Sequence, residues 1–579
     1  MKPGNKNWRD MNWRNLNWRD VKAPALLRSP WFWILAAAAV LRLTGLAWGM
    51  PASDGWDDDG FAPRNFLTAL ALTWKPGSFF TYPPLHAIAL AIPSLPMAII
   101  ALLHAPSLTQ SGVVGEITKP VYMTYFAGTA RLINLVMSLG IIACAGQMAR
   151  QIAGPRAGLF AAGACALGVT LTYYGQVSNL DVPYLFWSML SLLAWMRGIA
   201  TRDVTRFRWA ILFAAAAIAT KDQAYGLFAL SIPVMLIVWF ARDGWARENT
   251  RQIAAAIARP ALLALVLLAL VDGAITNPTG FMHRLAYLTG PANQDFATYT
   301  NDIAGRVALL IDMAKFFAQG IAGMGSALFV IGAGFCLMRV RKISVLVPLL
   351  AIASFTLCFN LVALRTDARF LLPQAVLASV FIGIAAEKFF YMPDTQSQRI
   401  SHVALAVITL FALYACLGVN AAMLGDPRYD AEGWMATNIR PGDSIETYGQ
   451  NAYLPRLPQN AILSRVGPGA LNIRNPLPHV TELRQPFGAI EARHPRFIVV
   501  SDWWVQRYLS LEKTENGRMA SPILQRQYAD RDARGYFTAL YAGALPYRLV
   551  HQSRYEAGLF PAIHIHESLD ENIDIFERQ

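Results

Sequence analysis

The chain has 579 residues, 55% of them hydrophobic and 15% charged, with a mean hydropathy of +0.34, which excludes an ordinary soluble protein and indicates a multi-span membrane protein. A net charge of +13 does not imply nucleic acid, because the basic residues fall in short clusters between apolar segments, as in cytoplasmic loops. All five cysteines (Cys144, Cys165, Cys336, Cys358 and Cys416) lie inside apolar segments without metal-type spacing, so no disulfide framework is expected.

Residues 1–30 form a basic arm carrying Lys2, Lys6, Arg9, Arg14, Arg19, Lys22 and Arg28. Asn-Trp-Arg recurs there at 7, 12 and 17, a period that fits neither helix face nor strand, and a flexible cytoplasmic tail is expected. The apolar run from Trp31 to Trp48 reads as an uncleaved signal anchor, given its length and the long arm before it. Directly beyond it stands Ser53-Asp-Gly-Trp-Asp-Asp-Asp-Gly-Phe61. Adjacent carboxylates raise one another's pKa unless a cation, a metal or solvent relieves them, so Asp57, Asp58 and Asp59 form either a wet turn or a reactive site. A helical stretch from Phe61 to Trp74 follows, and then Phe79-Phe-Thr-Tyr-Pro-Pro-Leu-His86.

Further apolar segments fall near 83–104, 128–149, 157–175, 183–198, 209–220, 224–241, 260–275, 320–338, 343–363, 370–391 and 401–424. The Lys/Arg clusters should all be cytoplasmic: the arm, Arg150 with Arg156, Arg197 to Arg208, Arg242 to Arg259, Arg339 to Lys342, and Lys388 to Arg399. They share one side only if segment 83–104, opened by Pro83-Pro84 and interrupted by Pro93 and Pro96, lies in the interface or re-enters. About eleven spans then remain. The outer face receives the loop 51–127, the turn at Asp181, the neighbourhood of Lys221, the loop 276–306, the turn Arg365 to Arg369, and the tail. Ionisable groups converging on one membrane surface are functional candidates.

Residues 425–579 are less hydrophobic. Alternating runs at Arg496-Phe-Ile-Val-Val-Ser501 and Ala562-Ile-His-Ile-His566 look like strands, and 426–442 reads as an amphipathic helix ended by Pro-Gly, so a small outer α/β domain is expected. His564 and His566 are two apart on one strand face, but no third metal ligand is evident.

The order of a first span, an acidic outer loop, an amphipathic helix and an aromatic-Pro-Pro-Leu element resembles the GT-C glycosyltransferases of the protein O-mannosyltransferase and aminoarabinose transferase type. The resemblance continues at Ala130-Arg-Leu-Ile-Asn134, Gln147 to Gly158, Ser178-Asn-Leu-Asp-Val-Pro183, Ala219-Thr-Lys221 and Arg369-Phe-Leu-Leu-Pro373. It covers about residues 31–390. It implies an α-helical polytopic membrane bundle: a transmembrane catalytic domain over 31–424 with juxtamembrane helices in the loop 51–127, and a periplasmic α/β domain over 425–579. It also implies a polyprenyl-phosphate-linked sugar as donor and a glycan, lipid or protein acceptor. The expected location is a bacterial inner membrane, with the N-terminus cytoplasmic and the site periplasmic.

An acceptor hydroxyl must lose its proton as it attacks the anomeric carbon, which calls for a carboxylate close by. The family's acidic pair falls on Asp58 and Asp59, with Asp58 as base, Asp57 as the alternative, and one of the three free to cap the helix near Gly60. Asp181 matches the second outer acid, and it could equally cap the helix that Pro183 opens. Lys221, Arg131 and Arg369 match cationic positions suited to a departing phosphate; the plain reading of Arg131 and Arg369 is snorkelling. Asp222 could hold Lys221, and Arg365 could pair with Asp367. His86 could hydrogen-bond a phosphate, while Tyr82, Pro83 and Pro84 would line the substrate or lipid. Thr81-Tyr82 replace the Glu-Lys that aminoarabinose transferases carry, which puts that subtype and its metal in doubt. A divalent cation, Mg²⁺ or Mn²⁺, on the three aspartates stays open. The rival readings are a transporter or flippase of lipid-linked sugars, with no internal repeat to support it, and a non-catalytic assembly subunit.

Overall fold

The computed structural model describes residues 25–579 apart from 52–55, 58–59, 62, 339–342, 468–478, 512–514, 561–562 and 564. Most of the basic arm, Asp58, Asp59 and His564 therefore lie outside the described residues. The expected helical membrane bundle is present, and each of the twelve apolar segments falls on helix. The first nine helices are α1 (Pro30–Leu43), α2 (Pro63–Trp74), α3 (Leu85–His104), α4 (Gln110–Ile117), α5 (Pro120–Ala153), α6 (Pro155–Ala166), α7 (Val169–Tyr174), α8 (Asp181–Thr201) and α9 (Thr205–Ile218). Proline opens α1, α5 and α6, where its missing N–H costs nothing. Gly154 ends α5 at a φ of 110°, which suits a residue without a side chain. The helix Leu372–Phe390 is buried along nearly its whole length and crosses α6 closely: a Cβ on Gly383 would stand 2.2 Å from the Ala161 nitrogen.

Among the described residues seven helices are long and apolar enough to cross a membrane, or eight if Ile303–Gly320 and Gly325–Met338, bent by 99°, form one span. This is fewer than the eleven expected. The difference has a physical cause: α1 and α9 have 14 residues each, the α6–α7 run breaks at Leu167-Gly168, and α8 carries Asp181 and Arg197. The helices Pro278–Thr289 and Ile303–Gly320 were not anticipated.

Helix α3 is itself long enough to cross, and it packs against the N-terminal part of α5. It clusters through Ala87, Leu90 and Ala101 with Tyr122, Met123, Phe126 and Ala130. Those residues precede Arg131, whose side chain reaches the chain just beyond α1, in the N-terminal part of a 34-residue helix. Ile92, Leu95, Ile99, Ile100 and Leu103 are exposed and apolar, as suits a helix lying in lipid.

The tail is the expected α/β domain, with strands β1 (Ser444–Thr447), β2 (Ile462–Gly467), β3 (Val480–Arg484), β4 (Phe497–Ser501), β5 (Tyr547–Ser553) and β6 (Ile573–Arg578). Their order is β3-β2-β1-β4-β6-β5. The first four are parallel, while β6 runs antiparallel to both β4 and β5. Alternation along β4 sends Ile498 and Val500 to the core over Phe537, and Phe497 and Val499 to the core under Met435 on the helix Pro427–Asn438. The segment near 562–566 is not a strand in its described residues. Ile565 and Leu569 instead join the membrane-domain core, and the His566 ring stacks 5.7 Å from Tyr173. A second seam ties Thr300 N to Gly517 O (3.0 Å), Met519 N to Thr298 O (2.9 Å) and Arg518 Nε to Asp312 Oδ2 (2.7 Å).

Two predictions follow from this arrangement. A reporter fused at Leu108, in the link after α3, is expected to read as outside the cytoplasm; a cytoplasmic signal would mean that α3 crosses. Burial pushes the Asp570 and Glu571 carboxyls up to about 7. The folded state then keeps protons that the unfolded chain has released, so stability falls as pH rises through that window. Thermal melts are expected to drop in midpoint between about pH 5 and about pH 7.5, and Glu571→Gln to flatten that slope.

Candidate active site

This rim of the bundle is built on one asparagine. Asn134, one helical turn after Arg131 on α5, donates its amide to Val177 O and Asn179 O, both at 2.7 Å. This satisfies backbone carbonyls of the loop entering α8, and Asn179 Oδ1 accepts the Asp181 N–H at 2.8 Å. The acidic loop joins the same seam. Phe61 N donates to Ser178 O at 2.9 Å, Gly60 pairs with Asn179 as an antiparallel bridge, and Gly60 N closes a turn on Asp57 O at 3.0 Å. Asp57 is buried there and within electrostatic reach of the Arg131 guanidinium. Arg131 is buried too, and its Nη1 donates to Leu46 O and Trp48 O at 2.7 Å. It therefore binds backbone and faces Asp57 rather than snorkelling. Asp58 and Asp59, the expected base and its neighbour, are outside the described residues.

Asp181 is the first residue of α8, with no side-chain cap at Leu180, so it does not act as the N-cap. Its carboxylate is 0% exposed and takes Lys221 Nζ at 2.8 and 2.9 Å and Gln223 Nε2 at 2.9 Å. The partner of Lys221 is thus Asp181 and not the adjacent Asp222, which pairs with Arg284. The reason is direction: Lys221 ends the turn after α9 in extended backbone and reaches across to α8. Tyr82 and Tyr184 rings each lie 5.9 Å from Lys221 Nζ, and Leu85 N donates to Ala219 O at 3.0 Å, tying the Pro-Pro element to the Lys221 turn.

Arg284, in the unanticipated helix Pro278–Thr289, also donates Nε to Thr81 O at 3.1 Å. Asn277 caps that helix and gives its amide to Thr73, Lys75 and Ser78 carbonyls within 3.0 Å. The result is a shallow cleft lined by Tyr82, Pro83 and Pro84 with Phe281, Asp272 and Arg284. Burial pushes the Asp272 carboxyl up to about 7. Gln223, Asp272 and Arg284 carried no sequence signal. Asn134 and Asn179 stood inside the quoted motifs without an assigned role.

Arg369 pairs with Asp367 (Nε to Oδ2, 3.2 Å), and Asp367 also caps the turn through the Arg369 N–H at 2.8 Å. Tyr174 lies within electrostatic reach of Asp181, Asp367 and Arg369, which brings the 365–369 turn to the same rim. Arg365 packs over Phe296 and Phe370, at 5.6 and 5.2 Å. His86 is buried, its ring 6.3 Å from that of Phe61, and neither ring nitrogen has a hydrogen bond among the described residues. As for a metal, carboxylate oxygens of the acidic loop suit a hard cation in kind, and no group of three His, Cys, Asp or Glu able to hold one occurs among the described residues.

No protein-family model matches the chain, and no curated protein matches its sequence. Solved structures do resemble it. The oligosaccharyltransferase of Archaeoglobus fulgidus, in complex with Zn and sulfate, aligns over 95% of this chain and 88% of its own, at 12% identity and a TM-score of 0.50. ArnT from Cupriavidus metallidurans bound to undecaprenyl phosphate aligns over 84% of this chain and 97% of its own, at 14% identity and a TM-score of 0.49. At such identity the likeness is one of fold: the chain shares with the oligosaccharyltransferase the architecture of a polytopic helical bundle carrying a further domain.

Removing one member of a buried ion pair strands the other charge. Lys221→Met is therefore expected to cost about 3–5 kcal/mol and to lower the melting midpoint in detergent. Pairing it with Asp181→Asn should recover part of that loss; a double variant no better than the single would show that the pair is not the source.

Proposed function

We propose that this multi-pass membrane protein is an inverting glycosyltransferase. It moves a sugar from a polyprenyl-phosphate donor to a hydroxyl of a cell-envelope glycan, glycolipid or protein, on the periplasmic side of a bacterial inner membrane. The observation that carries the reading is the seam between Gly60-Phe61 and Ser178-Asn179, which sets the acidic loop beside the buried Asp181–Lys221 pair. The donor class rests on the sequence resemblance, and the fold accords with it.

In the reaction the acceptor O–H gives its proton to a loop carboxylate, Asp58 with Asp57 as its neighbour. The freed oxygen attacks the anomeric carbon from the side opposite the phosphate. The bond from that carbon to the phosphate oxygen breaks, and its electron pair leaves on the lipid phosphate, so the configuration inverts. Lys221 and Arg369 present positive charge where that negative charge grows. Asp181, whose oxygens face Lys221 and Gln223, fixes the direction of the ammonium instead of orienting a sugar. Arg131 holds the backbone after α1 and lies within electrostatic reach of Asp57.

Purified protein given a labelled polyprenyl-phosphate sugar is expected to transfer the label or slowly hydrolyse the donor. Asp58→Asn should lower the rate by about 10²–10⁴-fold without loss of folding or donor binding. Retained turnover in both Asp58→Asn and Asp57→Asn would sink the assignment of the base. Movement of intact donor between leaflets without cleavage would favour the transporter.

A further inference from the structure

The residue immediately before Asp57 is held by the C-terminal domain. Trp56 is buried, and its ring lies 4.2 Å from the Arg428 guanidinium carbon, 5.6 Å from that of Arg456 and 4.8 Å from the Tyr429 ring. Both arginines are fixed before they meet it. Arg428, 0% exposed, binds Asp426 through Nε at 2.8 Å and Nη2 at 2.6 Å, and gives further bonds to Ala452 O and Ser568 O. Asp426 in turn accepts Trp48 Nε1 at 2.9 Å. Arg456 binds Glu432 and donates Nη1 to Met50 O at 2.6 Å, and Tyr429 Oη accepts the Gly49 N–H at 3.0 Å. The chain leaving α1 is thereby gripped at Trp48, Gly49, Met50 and Trp56 by a single helix and loop of the outer domain.

A cation over an indole face is attracted most strongly when desolvated, as it is here. On the far side of Asp57 the chain is pinned again, by the Gly60 turn and the Phe61–Ser178 bond. We infer that Arg428 and Arg456 are positioning residues: through Trp56 they set the place of Asp57, the residue next to it. The C-terminal domain is then part of the catalytic apparatus. This rests on the glycosyltransferase reading for its functional consequence, though the grip itself does not.

The test uses the full chain and two substitutions at Trp56. Trp56→Phe keeps a ring face for the guanidinium groups, and Trp56→Leu removes it. A displacement of about 1 Å can cost on the order of 10²-fold in rate. Trp56→Leu is therefore expected to lose at least about tenfold in kcat with donor KM within about twofold, and Trp56→Phe to stay within about threefold of the native rate. A second readout is independent of turnover. A cysteine introduced by Asp57→Cys should react with a membrane-impermeant maleimide at least about tenfold faster when Trp56→Leu is added than when Trp56→Phe is added. Equal labelling rates would overturn the proposal. So would a native kcat in Trp56→Leu, or equal losses of kcat in the two Trp56 variants. Should labelling respond as expected while the native chain transfers no sugar, the grip stands and the glycosyltransferase reading fails.

Discussion

A carboxylate without solvent at the rim of a membrane bundle is tolerable only with a cation against it, and this end of the bundle is arranged around that demand. Asp181 opens α8, Lys221 closes the turn after α9, and their contact fixes two helix ends to one another. The next link has the same logic. Asp222 faces Arg284, which reaches Thr81 and so steadies the Tyr82-Pro83-Pro84 wall. Cations that sequence reasoning offers to a phosphate are each engaged already, Lys221 with Asp181, Arg369 with Asp367 and Arg131 with backbone.

Backbone groups impose the second constraint. Loops at membrane depth must find partners for their N–H and C=O groups, and here asparagines supply them: Asn134 for the loop before α8, Asn277 for the chain between α2 and the Pro-Pro element, Asn420 for Leu41 O at the end of α1. These bonds make irregular segments as fixed as the helices they join. A reacting group carried on such a loop can then be held to a narrow geometry.

The C-terminal domain continues this pattern. Its sheet has the parallel β3-β2-β1-β4 core of a doubly wound half, closed by an antiparallel pair. Its contacts with the membrane bundle include Ile565, Leu569 and the Asp426–Arg428 pair, besides the seam at Gly517 to Met519. At the end of a run that alternates like a strand, Ile565 finds apolar partners in the bundle and His566 finds the Tyr173 face.

Much of the architecture was legible in order of residues alone. Apolar runs of span length, proline at helix starts and the side of each Lys/Arg cluster state where helices lie and which loops share a face, because bilayer thickness and loop charge act locally along the chain. The α/β tail and the strand at Phe497–Ser501 were legible for the same reason, as alternation is a local signal. Tertiary structure alone decided the partners. Lys221 passes over its neighbour Asp222 for Asp181, forty positions away, Arg284 enters from a helix without a signature, and Trp56 is held by arginines of another domain. Charge pairing depends on where side chains point after the helices pack, and sequence spacing carries no record of that direction.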